Sequence, residues 1–95
     1  MRFQSERYLT RGVSNTIPLA TQLKIWGLIE NIPVPADYLQ IFRLSGAGGV
    51  QTITHEQEEP VYSKTISYIC SEPVTEKVYV IDDDDHCTML LAEEY

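Results

Sequence analysis

Apolar positions with helical spacing follow a cluster of helix-capping residues near the N-terminus. Ser14-Asn15-Thr16 precede Pro18, and capping residues followed by an early proline are typical of a helix start. The apolar pattern predicts a helix over residues 17–32. Pro33 and Pro35 then end it, because proline lacks the amide hydrogen that helical hydrogen bonding needs.

This predicted helix carries apolar side chains on two arcs of its surface. One arc holds Leu19, Leu23 and Trp26, which we expect to face the sheet. The other arc holds four further apolar residues: Ile25, Leu28, Ile29 and Ile32. A helix needs only one apolar stripe for one contact. We therefore expect the second arc to form a contact surface beyond the monomer core, covered by a loop or a second subunit.

For the rest of the chain, the pattern predicts strands separated by turns. Residues 38–44 are apolar on both faces, as in a central strand, and residues 62–70 alternate between apolar and polar. The other expected extended segments are residues 7–13, 50–57, 77–81 and 87–92, the last being a strand or a short helix. The fold class predicted is α+β, with one main helix packed on a mostly antiparallel sheet of about five strands.

The length of 95 residues fits one domain, residues 1–95, in which residues 1–6 form a loose N-terminal end. No apolar run approaches the ~18 residues of a membrane span, and the first residues lack the apolar segment of a signal peptide. Cys70 and Cys87 do not make a disulfide framework. Reduced thiols favour a cytoplasmic protein without membrane association.

The charge of the chain is unevenly distributed. The formal net charge is −7. Residues 1–50 carry five basic and three acidic side chains, whereas residues 51–95 carry two basic and eleven acidic ones. Direct nucleic-acid binding is therefore disfavoured, because affinity for phosphates depends on Lys and Arg. A partner with a positive surface matches the second half better.

The run of four aspartates, Asp82 to Asp85, followed by His86 is the most conspicuous polar segment. Carboxylates and an imidazole can bind a divalent cation. Counted as a calcium loop from Asp82, however, the sixth position holds Cys87 where the loop needs glycine. We therefore interpret the run as a solvated turn between strands, and we predict neither a metal nor a cofactor.

His55, Gln57 and Glu58 lie in a polar stretch that we expect to be ordered on a sheet edge and loop. Such groups can recognise a partner through hydrogen bonds, so they are candidate interaction residues. A catalytic pair of a cysteine with His55 or His86 is the alternative. Both cysteines fall at inward-facing strand positions, however, which favours small buried side chains over nucleophiles. We assign no catalytic residue.

Several blocks of the sequence together resemble a known bacterial family. They are residues 7–13 (RYLTRGV), Ile17-Pro18-Leu19 with Leu23 and Trp26, residues 37–42 (DYLQIF), His55 with Gln57-Glu58, Pro60 and Tyr62, and the ending from Val80 to Tyr95. In order and spacing they are similar to the family called domain of unknown function 960. The resemblance implies a small bacterial cytoplasmic protein with no assigned activity, so no functional residue is carried over.

Three functional hypotheses remain open. The leading one is a non-enzymatic protein-interaction module, with a homodimer as one form. It rests on the wide apolar surface of the helix and on the lack of a convergent catalytic set. The second is an acidic decoy or inhibitor of a nucleic-acid-binding protein, based on the charge of residues 51–95. The third is a small metal-dependent hydrolase that uses Asp82 to Asp85, His86 or His55.

Overall fold

A computed structural model describes residues 2–95 and shows one six-stranded sheet. The elements in chain order are β1 (Glu6–Leu9), α1 (Arg11–Thr16), α2 (Leu19–Glu30), β2 (Leu39–Ala47), β3 (Val50–Gln57), β4 (Tyr62–Ile69), β5 (Glu76–Asp82), β6 (His86–Leu91) and a 3-10 turn (Ala92–Glu94). Across that part of the chain, neither helix is long and apolar enough to span a bilayer.

The strand order in the sheet is β1-β6-β5-β2-β3-β4. Strands β2 to β6 pair in antiparallel fashion, whereas β1 pairs with β6 in parallel. The expectation of about five strands in a mostly antiparallel sheet is therefore wrong. The sheet is mixed and has six strands, although the class stays broadly α+β. The prediction of a strand or an extended lead-in over residues 7–13 holds only for its first residues, which lie in β1 and pair with β6 from the other end of the chain.

The β2–β3 hairpin turns through Gly48 and Gly49, which have φ angles of +56° and +76°. Ala47 pairs with Val50 directly across the turn. A two-residue hairpin loop with both φ angles positive matches the right-handed twist of the strands, and glycine adopts it without strain. Strand β2 therefore extends further than the predicted segment, to Ala47.

Residues 7–13, predicted to be extended throughout, contain a strand end and a helix start. Thr10 caps α1, since its Oγ1 accepts a hydrogen bond from the Val13 amide at 3.3 Å. The Glu94 carboxylate reaches the same turn from the chain's C-terminal end, accepting from the Gly12 amide at 3.2 Å and from Thr10 Oγ1 at 2.6 Å. This tertiary contact thus stabilises α1, a six-residue helix whose own sequence has only weak helix signals.

Helix α2 lies within the predicted helix, but the face it buries differs from the expected one. Ile25 and Ile29, assigned to an outer contact surface, are 0% and 4% exposed in the core. Leu19 and Leu23, expected to face the sheet, are 68% and 61% exposed. Trp26 is buried as expected. The two apolar arcs of this helix compete for the sheet, and the arc with the isoleucines packs against it.

The core lies between the helices and one face of the sheet. Val13 of α1 and Ile25 of α2 share a cluster with Phe42, Val80 and other side chains that project from the same sheet face. Alternate residues of a strand point to opposite faces, so the strands supply every second side chain to this core. The helices therefore bury one sheet face and leave the other to the surface.

The N-terminal segment is part of this core, and the prediction of a loose end over residues 1–6 is wrong for the residues that the structure describes. Phe3 is 5% exposed and belongs to the core cluster. Its amide donates to Asp82 Oδ2 at 3.2 Å, and Arg2 Nη1 lies 3.5 Å from the same oxygen. Asp82 is itself buried, so the first aspartate of the acidic run anchors the N-terminal segment.

We expect Phe3→Ala to lower the free energy of unfolding by about 3 kcal/mol, because it removes a buried aromatic side chain and leaves a cavity. The measurement is urea unfolding at neutral pH. Gln4→Ala is the control, since Gln4 is exposed and its loss is expected to change stability by less than about 0.5 kcal/mol. Equal stabilities of the two variants would show that the segment is not anchored.

Candidate functional site

The sheet face opposite the helices is divided into an apolar and a polar half. Within residues 2–95 the buried side chains of both helices belong to the core on the other face. Five large side chains from β2, β5 and β6 project from the open face: Leu39, Ile41, Tyr79, Ile81 and Leu90. We call these five residues the apolar patch.

The sheet register aligns the patch across three neighbouring strands. Ile41 pairs with Tyr79, which pairs on its other side with Leu90, and Leu39 pairs with Ile81. Directly paired side chains lie about 5 Å apart and contact each other. Ile41 and Leu90 are 7% and 8% exposed although neither belongs to the core cluster. The neighbouring side chains of the patch therefore shelter them from water.

The polar half of the same face lies on β3 and β4. It carries small hydroxyl side chains: Thr52, Thr54, Ser63, Thr65 and Ser67. Thr52 and Ser67 are hydrogen-bonded at 3.0 Å, and Thr54 and Thr65 at 3.2 Å. Apart from the exposed Val50–Ile69 pair at one end, this half is polar, as a sheet face in contact with water normally is. The apolar half departs from that pattern and is therefore the candidate functional surface.

Tyrosines surround the patch. The Tyr95 ring lies edge-on against Tyr79 at 5.5 Å between centroids, and Tyr8 lies edge-on against His86 at 5.3 Å. Three tyrosines at the rim are strongly exposed, namely Tyr8 at 50%, Tyr38 at 44% and Tyr95 at 72%. Tyrosine offers a large apolar ring with a polar hydroxyl, which suits surfaces that are wet in one state and buried in another.

The surroundings of the patch are mostly acidic. Tyr8 donates a 2.6 Å hydrogen bond to the Glu6 carboxylate, which raises the pKa of Tyr8. The neighbouring Tyr95 is the largest cause of a raised pKa at Tyr38, with smaller contributions from burial and from the carboxylates of Asp37 and Glu58.

Two basic side chains, which are paired across β2 and β5, border the patch at the end opposite Leu39 and Ile81. Lys77 Nζ lies 5.4 Å from the Tyr79 ring centroid, and Arg43 Nε is held by Glu56 at 2.9 Å. Arg43 is therefore partly neutralised by its partner, and Lys77 already contacts a patch ring. The rim as a whole favours a cationic neighbour.

His55 and Gln57, predicted interaction residues, belong to a buried polar network on the core side. His55 Nε2 and Gln40 Oε1 are 2.7 Å apart, and Gln40 Nε2 donates to Gln57 Oε1 at 2.8 Å. The two glutamines also bind the chain around them, since Gln57 accepts from the Asp37 amide and donates to Pro60 O. The network fastens two connecting segments to the sheet, which is a structural role.

The His55 ring is fully buried and stacked on Phe42, with centroids 4.3 Å apart. Because Gln40 Oε1 accepts from Nε2, Nδ1 carries the lone pair, and it has no hydrogen-bond partner in residues 2–95. Burial, reinforced by Lys64 on the adjacent strand, lowers the pKa of His55 to about 4. The imidazole is therefore neutral at physiological pH.

The other predicted interaction residues lie outside this hydrogen-bonded network, four of them in or against the core and one at the surface. Ile25, Leu28 and Ile29 lie in the core of the chain itself, and Ile32 is partly buried against it. They are not available as an outer contact surface. Glu58 is exposed in the β3–β4 turn. The structure thus does not bring the predicted set together on one surface.

The acidic run does not form one uniform anionic surface. Asp82 is buried and accepts from the Asp84 amide at 3.0 Å, whereas Asp83 Oδ2 lies 3.6 Å from His86 Nε2 at the surface. In the described part of the chain, no group of three or more His, Cys, Asp or Glu side chains converges as a metal site would require. Cys87 is buried, and burial is the largest cause of its raised thiol pKa.

Sequence reasoning missed the apolar patch, although the sequence contains a signal for it. Residues 38–44 were recognised as apolar on both faces, and residues 77–81 are apolar or aromatic at four of five positions. Such a pattern predicts a strand covered on both faces. Because the chain has few helical residues to cover a second face, the pattern also indicates an exposed apolar surface.

Comparison with known proteins gives a family but no activity. A family model described as "Staphylococcal protein of unknown function (DUF960)" matches residues 6–94, which confirms the resemblance drawn from the sequence blocks. A crystal structure of a protein of unknown function from Enterococcus faecalis is similar in fold, with a TM-score of 0.86 and 24% identity over 100% of this chain and 96% of that chain. No curated protein matches the chain.

We expect His55 to make the protein acid-sensitive. The folded state holds its pKa at about 4 against 6.5 for the free side chain, so the unfolded chain binds the proton first as the pH falls. The contribution of the neutral ring to the free energy of unfolding is fully present above pH 6.5. It declines by about 3 kcal/mol as the pH falls from 6.5 to 4.

The measurement is urea unfolding at a series of pH values between 7 and 4 for the wild type and His55→Gln. The variant is expected to lose this part of the pH dependence, because glutamine does not titrate. His86→Gln, at a half-buried position, serves as the control and is expected to retain it. A pH dependence that is identical in His55→Gln and the wild type would contradict the assignment.

Proposed function

The chain belongs to the family described as staphylococcal proteins of unknown function, DUF960, and from that premise we propose that it is a protein-interaction module whose binding surface is the apolar patch. The single observation that carries this proposal is the contrast within one sheet face. The half on β3 and β4 carries hydroxyl groups, as a solvated face does. The half on β2, β5 and β6 carries leucine, isoleucine and tyrosine.

In the free chain, contact between the patch and water costs free energy, and a bound partner removes that contact. Apolar surface in contact with water is unfavourable by roughly 25 cal/mol per Å². Contiguous apolar surface rimmed by polar groups is typical of protein-binding sites. The rows Ile41–Tyr79–Leu90 and Leu39–Ile81 are contiguous across three strands. A partner that covers these rows buries the apolar surface that remains on the half-buried Leu39, Tyr79 and Ile81, since Ile41 and Leu90 are already buried.

The rim tyrosines supply the expected anchors of such an interface. Tyrosine and tryptophan are enriched among the residues that dominate binding energy, because they bury a large rigid surface at a small entropic cost. Tyr8 and Tyr95 stand at the rim with 50% and 72% of their surfaces exposed. Each is already oriented by an edge-on ring contact, to His86 and Tyr79 respectively. Pre-oriented rings lose less freedom on binding.

The chemistry of the rim specifies the partner as a protein with an apolar centre surrounded by Lys and Arg. Glu6 lies beside Tyr8, and Asp37 and Glu58 act on Tyr38. The chain as a whole carries a net charge of −7. Complementary charge speeds association and selects the partner, while the apolar centre supplies the affinity. Binding to such a partner weakens as salt is added, because salt screens the charge attraction.

We expect a photo-crosslinking residue to locate the binding surface. The residue is placed at Tyr8, at Tyr95 or, as a matched control, at Thr54 on the polar half of the same face. Crosslinks to one protein are expected at both tyrosine positions and not at Thr54. Equal crosslinking at Thr54 would contradict the proposal, as would a captured protein without a basic surface.

We expect the two tyrosines not only to lie near the partner but also to contribute to the free energy of binding. With the crosslinked protein purified, the Tyr8→Ala/Tyr95→Ala variant is expected to bind at least about tenfold more weakly than the wild type, since each anchor contributes about 1 kcal/mol or more. Thr54→Ala is the matched control and is expected to bind like the wild type. Calorimetry at two salt concentrations checks both affinity and salt dependence. Unchanged affinity of the tyrosine variant would overturn the proposal.

A further inference from the structure

Strand β4 forms one edge of the sheet and pairs on one side only. Its eight residues, Tyr62–Ile69, pair with β3 in unbroken register. No other strand in residues 2–95 contacts its outer side. An edge of this kind presents a row of backbone amide and carbonyl groups to any strand that can lie beside it.

The register shows which groups face outward. The Cys70 amide donates to Gly49 O at 2.8 Å, so residue 70 points its backbone toward β3. In an antiparallel ladder these hydrogen-bonded positions alternate along the strand, so residues 62, 64, 66 and 68 also bond β3. The backbone groups of the four alternate residues therefore face away from β3: Ser63, Thr65, Ser67 and Ile69. We call this row the free edge.

The free edge lacks the features that usually prevent strand addition. Proteins protect edge strands by proline, bulges, short length or charged side chains. Strand β4 contains no proline or glycine, and its one charged residue is Lys64. The opposite edge strand β1 has four residues and carries Glu6 and Arg7. Of the two edges, β4 alone is long and nearly uncharged.

Charge favours a second copy of the chain as the occupant. The chain has a net charge of −7, so most orientations of two copies bring carboxylates together. Residues 60–71 are the longest stretch without a carboxylate in the acidic half of the sequence. Two copies that meet along β4 therefore bring together a central stretch without carboxylates, which Glu58, Glu59 and Glu72 flank at its two ends.

We propose that β4 pairs with β4 of a second copy in antiparallel orientation, joining two sheets into one continuous sheet of twelve strands. The register that uses the whole free edge pairs Ser63 with Ile69, and Thr65 with Ser67, of the other copy. This register forms eight backbone hydrogen bonds and places Ile66 opposite Ile66 on the two-fold axis. Helices of both copies stay on the same side of the joined sheet.

The side chains on the core side are compatible with this register. Lys64 lies opposite Tyr68 of the second copy, so the two Lys64 side chains do not meet each other, and Lys24 already contacts that Tyr68 ring at 5.1 Å. Tyr62 of the second copy lies opposite Cys70, at a groove between α2 and β4. Pro18, Ala20 and Cys70 are among the residues that line this groove, whose volume is about 600 Å³. The Tyr62 ring lies edge-on against His55 of its own copy, with centroids 5.4 Å apart, so the pairing does not require it to enter the groove.

The first test is the mass of the protein in sedimentation equilibrium at concentrations from about 10 µM to about 1 mM, the range in which small interfaces associate. We expect the wild type to form dimers. Ser67→Pro is expected to weaken the dimer by at least about tenfold, because it removes an outward-facing amide and leaves the β3 ladder intact. Ser67→Ala is the matched control and is expected to dimerise like the wild type.

The second test fixes the register and does not depend on Ser67→Pro folding. In a Cys70→Ser background, Ile66→Cys is expected to form an intermolecular disulfide under mild oxidation, because paired positions without backbone hydrogen bonds bring their Cβ atoms close together. Thr65→Cys, which faces residue 67 of the other copy, is expected to crosslink much less. Stronger crosslinking of Thr65→Cys than of Ile66→Cys would overturn the register.

A wild type that remains monomeric up to about 1 mM would overturn the dimer, and so would a Ser67→Pro variant that dimerises as strongly as the wild type. This dimer does not depend on the apolar patch. An experiment that overturns the dimer therefore leaves the proposed interaction surface untouched, and the reverse also holds. Added salt is expected to strengthen the dimer, since it screens repulsion between like-charged copies, and to weaken binding of the basic partner.

Discussion

A sheet has two faces, and this chain covers one of them with helices. Helix α2 supplies twelve residues and α1 six, and their buried side chains meet the core-facing row of the strands. In residues 2–95 neither helix packs on the opposite face, where the ring of Tyr95 contacts Tyr79. Because the central strands are apolar on both faces, this imbalance determines where the core lies and where apolar surface remains exposed.

The connecting segments are held to the sheet by buried amide side chains. Gln51 is fully buried, and its amide group exchanges hydrogen bonds of 2.8 and 2.9 Å with the backbone of Val74 in the β4–β5 connection. Gln40 and Gln57 do the same near Asp37. Buried polar groups require partners, so each glutamine fixes a loop in place. His55 completes one such network, and its Nδ1 has no hydrogen-bond partner within residues 2–95.

Two surfaces of the sheet are available for different kinds of contact. The apolar patch on the open face offers side chains, with tyrosines at its rim and acidic groups around them. The free edge of β4 offers backbone groups, with few charges beside them. A partner on the patch and a second copy on the edge therefore do not compete for the same residues. The α2 surface that carries Leu19 and Leu23 belongs to neither.

The sequence by itself determined the elements whose signals are local. Pro33 and Pro35 lie beyond the end of α2, Gly48-Gly49 forms the β2–β3 turn, and alternation in residues 62–70 matches β4. These features depend on backbone geometry and on the period of a strand, which neighbouring residues specify. The two-sided apolar pattern of residues 38–44 likewise indicated a central strand.

Only the tertiary structure decided the features that join distant parts of the chain. Helix α2 has two apolar arcs of similar strength, so its sequence does not select the one with Ile25 and Ile29; contact with the sheet does. Phe3 lies in the core cluster, and its amide donates to the Asp82 carboxylate across 79 positions of sequence. Strand β1 joins the sheet through a parallel pairing with β6. Long-range pairings leave no local period in the sequence, and for that reason composition and spacing did not reveal them.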